Sequence, residues 1–181
     1  MIRTILLITT LAAQAPQEAI EQIEPVTAQP AAKEAPKTLP VVLGRMHPSL
    51  VHMPIGWLLL TLLCEVLVIG FKRHELRAAG LYIVVGTALS FVPAIASGLL
   101  RVQEYAEEPD IMDPALLHRN VMFLTFGFVL IAMAIRIFGR NRLHTNLRYV
   151  YLATLVCAVV AVTIGGHLGG KLVYGDEYLP Y

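Results

Sequence analysis

LVHMPIGWLLLTLLCEVLVIGF, residues 50–71, carries one full charge, on Glu65. At 1.5 Å per helical residue this run reaches across a hydrocarbon core about 30 Å thick. Three further apolar runs follow at about 78–100, 121–138 and 149–166. A chain in lipid must pair every backbone amide internally, so these runs span as helices. The connections are short, which predicts an up-down-up-down bundle. The fold class is all-α: an integral membrane four-helix bundle with an extended N-terminal tether.

Composition agrees. Of the 181 residues, 56% are hydrophobic and 15% charged, where a soluble domain carries about a quarter charged. The net charge of +1 offers no polycationic surface for nucleic acid. Cys64 and Cys157 both fall inside apolar runs and form no CxxC or CxxCH motif, so covalent c-type haem attachment is not encoded. They read as small apolar side chains. No hydrolase triad, phosphate-binding glycine loop or zinc-protease motif is present.

Residues 1–15 combine Arg3, a short apolar stretch and the small-residue ending Ala13-Gln14-Ala15, the pattern of a signal peptide. Residues 16–44 are rich in Ala, Pro, Glu and Gln and read as an extended extracytoplasmic tether. The membrane domain is placed at 45–175 and a C-terminal tail at 176–181.

Loop charges orient the bundle. Lys72, Arg73 and Arg77 lie between the first two runs, and Arg136, Arg140, Arg142 and Arg148 between the last two. The middle loop carries Glu104, Glu107, Glu108, Asp110 and Asp113. Lysine and arginine near helix ends mark the cytoplasmic side. The tether and C-terminus then lie on the outer, non-cytoplasmic side of the membrane, as a signal peptide requires.

This topology gathers the histidines. His47 and His52 open the first helix, His118 opens the third, and His167 closes the fourth, all in one layer at the outer face. His74 and His144 fall in the basic loops. Ionisable side chains in membrane segments tend to face the bundle interior, and imidazole is the commonest side-chain metal ligand, haem iron included. His47 and His52 differ by about 140° around a regular helix and cannot both meet one iron. His52, one turn deeper, is the favoured partner of His118 across a haem b iron, with His167 as alternative and His47 as an outer hydrogen-bond partner. A copper or zinc site using three histidines remains a different use of the same layer.

Gly165, Gly166, Gly169 and Gly170 surround His167. Glycine lets a backbone approach a flat ligand or another helix, so Gly166 and Gly169 are candidate cofactor contacts, or mark a tight helix contact and helix ending. Arg119 and Lys171 stand at the same edge, placed for haem propionates or for snorkelling to lipid headgroups. Glu65 is expected to bond Ser90 or Thr87 of the second helix, or to take part in proton transfer. Pro93 is expected to kink the second helix.

The stretch Arg45-Met46-His47-Pro48-Ser49-Leu50-Val51-His52-Met53-Pro54-Ile55-Gly56 resembles the opening of a bacterial membrane family catalogued as domain of unknown function 2231. Its members begin His-Pro-x-x-Val-His-Phe-Pro-Ile. Ser97-Gly98, His118 and the ending Gly165 to Gly175 resemble the same family, so the likeness covers about residues 44–175. Met53 stands where Phe is usual. The resemblance implies a four-helix domain found beside c-type cytochromes or joined to Rieske-type iron-sulfur domains, and through them respiratory electron transfer with a possible quinone link. A cofactor-free structural or anchoring subunit of a larger membrane complex is the competing expectation.

Overall fold

The computed structural model describes residues 38–139 and 145–175. The signal-peptide and tether readings up to residue 37, His144, Arg140, Arg142 and the C-terminal tail lie outside the described residues. Short helices α1 (Leu39–Arg45) and α2 (His47–Leu50) lead into the long helix α3 (His52–Gly70). Then come α4 (Leu76–Gln103), α5 (Pro109–Gly139) and α6 (Thr145–Tyr174).

The division of the first helical stretch follows its prolines. Met46 and Val51 remain in right-handed helical geometry, but Pro48 and Pro54 have no amide hydrogen to donate. The ladder is therefore interrupted on either side of α2. The last residues of the expected extended tether, 39–44, are instead helical. They lie against α4, where Gly44 brings the two backbones together. A Cβ on Gly44 would sit 3.1 Å from the Arg101 amide nitrogen.

Among the described residues, four stretches are long and apolar enough to cross a bilayer: His47–Gly70, Leu76–Gln103, Pro109–Gly139 and Asn146–Tyr174. Each packs on its neighbours in a closed ring, α3 on α4, α4 on α5, α5 on α6, and α6 back on α3. Helices α3 and α5 therefore face each other across the diagonal.

The packing is that of a protein in lipid. Leu59, Leu63, Leu89, Leu124, Ile131 and Val160 are exposed on the outside, where acyl chains are as apolar as they are. The interior instead collects small and hydroxylated residues: Ala88, Ala94, Ala132, Ala158, Thr61, Thr87 and Thr125 are buried. Small side chains let helices approach closely, and hydroxyls bond across or along them. Thr61 Oγ1 and Thr87 Oγ1 stand 3.3 Å apart between α3 and α4, each hydroxyl hydrogen being directed to a carbonyl of its own helix.

Two sequence expectations are corrected here. Helix α6 does not end near Gly166; it continues through the glycines to Tyr174. Helix α5 begins at Pro109 rather than near residue 121, since a proline at the first helical position loses no bond the helix would have made. Pro93 lies within α4.

Candidate functional site

Helix α3 buries Pro54, Leu58, Thr61, Glu65 and Val68, a stripe advancing by three or four residues. Carried back by seven from Pro54, this stripe arrives at His47. His52 falls off it and is exposed. On α5 the buried stripe Thr125, Val129, Ala132, Arg136 carries back by seven to His118. Helix α2, on the backward extension of the α3 stripe, and helix α5 thus each aim one imidazole into the same end of the bundle.

There the rings of His47 and His118 lie 6.3 Å apart between centroids, with their planes at 83°. His47 Nδ1 lies 2.9 Å from the Ala94 carbonyl and 3.1 Å from Ser97 Oγ. Ser97 Oγ itself donates to Ala94 O. His118 Nδ1 lies 2.8 Å from the Gly165 carbonyl. A carbonyl oxygen only accepts, so Nδ1 of each ring carries the hydrogen. In the neutral ring this leaves Nε2 with its lone pair, the arrangement by which a backbone carbonyl fixes a histidine for use as a ligand.

Glycines make room for both rings. A Cβ on Gly98 would sit 2.8 Å from His47 Cε1, and one on Gly169 would sit 3.0 Å from His118 Cε1. Gly165 accepts the His118 bond and lies against Met122, whose sulfur would be 2.5 Å from an added Cβ. Helices α2, α4, α5 and α6 each supply part of this one locus.

The expected residues separate accordingly. The structure brings His47 to His118, where the sequence favoured His52. His167 is half-buried and Gly166 exposed; a Cβ on Gly166 would meet nothing within 4 Å. Gly169 touches the His118 ring as just described. Arg119 is half-buried and hydrogen-bonds its neighbour Asn120. Lys171 is exposed. Among the described residues, no three His, Cys, Asp or Glu side chains come together to hold a metal ion.

Just outside the imidazoles, Arg101 donates to Glu104 at 2.6 Å, Arg45 stands 3.7 Å from the same carboxylate, and Arg101 lies over the Tyr105 ring. The acidic loop, used in the sequence only to orient the bundle, thus has Glu104 paired with Arg101 and Arg45.

A family of predicted membrane proteins, DUF2231, matches residues 45–178. The chain belongs to the DUF2231 family. The matched region takes in His47, His118, Gly98, Gly165 and Gly169 together with all four spans. No curated protein and no solved structure matches this DUF2231 chain.

Proposed function

We propose that this DUF2231 protein is a membrane electron-transfer subunit that holds a b-type haem through His47 and His118. The observation that carries this reading is the pair of imidazoles from α2 and α5, each fixed through Nδ1 to a carbonyl of a neighbouring helix. Two imidazoles bound through nitrogen at about 2 Å to one metal, on opposite sides, have ring centres about 6 Å apart. The observed separation is 6.3 Å. An edge-to-face contact has similar dimensions, so the spacing supports the reading only together with the fixed Nδ1 hydrogens.

These residues suit the group. His47 and His118 would hold the iron, and Gly98 and Gly169 keep the ring edges free of side chains. A haem bound there would supply reversible one-electron exchange, tuned by the two imidazoles and by burial. The protein's part is to hold both rings in one tautomer, and Ser97 adds a second acceptor beside His47 that His118 lacks. The Arg45–Glu104–Arg101 group borders the site with cationic side chains suited to carboxylates. Arg119 and Lys171 retain that role as sequence-based candidates.

On the loop-charge argument the imidazole end faces outward from the bacterial inner membrane. A periplasmic donor or acceptor, a c-type cytochrome or a Rieske-type protein, would then meet the acidic loop at 104–113, and quinone would be reached through the bilayer. Copper or zinc in place of haem would have two imidazoles here, fewer protein ligands than the three or four usual for zinc.

A second reading has its own support. Each histidine bonds a carbonyl on the next helix, so the two rings also clamp α2 to α4 and α5 to α6 without any cofactor, as an anchoring subunit would require. Metal analysis with a pyridine haemochrome assay on purified protein separates the readings. About one haem per chain supports the first. A well-folded bundle with neither haem nor metal, co-purifying with a larger complex, supports the second.

A further inference from the structure

At the opposite end of the bundle the same diagonal helices meet again. Eighteen positions separate His47 from Glu65, and eighteen separate His118 from Arg136. That is five helical turns, which returns a side chain to the same face about 27 Å along. Glu65 and Arg136 are 3% and 4% exposed, and Tyr151 of α6 is fully buried.

Arg136 Nε stands 3.6 Å from Glu65 Oε1, beyond a direct hydrogen bond of good geometry. The guanidinium donates from Nη2 to the Arg77 carbonyl of α4 and lies over the Tyr151 ring at 5.7 Å. Glu65 Oε1, Arg136 Nε and Tyr151 Oη lie close to one another, yet none of the three has a protein partner within good hydrogen-bond geometry. Gly80 of α4 lets its backbone close on the pair: a Cβ there would sit 3.0 Å from Glu65 Oε1 and 3.6 Å from Arg136 Nη2.

A buried acceptor, a buried N–H donor and a phenol that can play either part call for a ligand with both functions. The ligand must also be small enough to fit between side chains that nearly touch. Unsatisfied polar groups are costly in a membrane interior, and buried waters typically make about three hydrogen bonds to such groups. We propose that Glu65, Arg136 and Tyr151 form an intramembrane water-binding site. The water accepts from Arg136 Nε–H, donates to Glu65 Oε1 and completes the Tyr151 hydroxyl. The site does not depend on the haem reading, because it uses none of the same side chains.

X-ray radiolytic labelling of the full chain in nanodiscs tests it, since hydroxyl radicals formed from a bound water modify the nearest ring. Mass spectrometry should find Tyr151 hydroxylated at a rate approaching that of the loop residue Tyr105, although Tyr151 is buried. A charge-free Glu65→Leu/Arg136→Met variant should lower that rate several-fold. Gly80→Ala should lower it too, keeping both charges while crowding the space, and it decides the matter if the double variant does not fold. Tyr151 left unmodified in the wild type, or modified equally in a folded variant, would overturn the proposal.

Discussion

Gly98 and His47 approach so closely that a Cβ on the glycine would lie 2.8 Å from Cε1 of the imidazole. The ring is not free to retreat, because Nδ1 is held by the Ala94 carbonyl one turn away on the same helix. Gly98→Ala therefore has to break that bond or part α2 from α4. Overpacking of this kind costs about 1–3 kcal/mol. Thermal unfolding in detergent should show the loss. Gly169→Ala, with a 3.0 Å approach to His118, should cost less. Equal, negligible effects of both would mean that the rings move freely.

Trp57 gives a second test of close approach. A Cβ on Gly86 would fall 1.8 Å from the Trp57 ring, so even alanine requires the indole to leave α4. The chain has one tryptophan, and its fluorescence reports this contact alone. Gly86→Ala should shift the emission maximum and destabilise the bundle by about 1–3 kcal/mol. An unchanged spectrum would contradict the contact.

The polar contacts should differ sharply in weight. Breaking the buried Glu65–Arg136 pair with Glu65→Leu alone leaves an uncompensated charge, which costs about 3–5 kcal/mol. Adding Arg136→Met should restore most of the loss, because paired charges gain little over apolar packing once desolvation is counted. The Thr61–Thr87 contact is a neutral one at 3.3 Å, and Thr61→Val should cost less than about 1 kcal/mol. A double-mutant cycle on unfolding free energy checks both. A single Glu65→Leu as mild as Thr61→Val would remove the ion pair from the account.

The sequence disclosed the four spans because long apolar runs are a signal that bilayer thickness sets directly. Helix ends were less legible. The first turns of α5, with Asp110, Asp113 and Pro114, carry no apolar run, and the glycines of α6 look like a stop although lipid-phase helices accept them. The site was partly legible. The 140° between His47 and His52 meant that one of them had to face away, and depth alone favoured His52. The deciding signal was the inward stripe of α3, marked by its polar members Thr61 and Glu65, which extends back to His47. The same spacing on α5 would have taken Arg136 out of the loop and placed it inside with Glu65, rather than Ser90 or Thr87. Ser90 in fact donates to the Thr87 carbonyl. Pairing across a diagonal depends on how helices close into a ring, which no single run reveals.

A reduced-minus-oxidised difference spectrum of the purified protein and its histidine variants tests the central claim most directly. The account predicts b-type bands in the wild type and in His52→Ala, whose side chain is exposed, and their loss or strong weakening in His47→Ala and His118→Ala. Bands that survive both of those substitutions, or vanish only in His52→Ala, would contradict it.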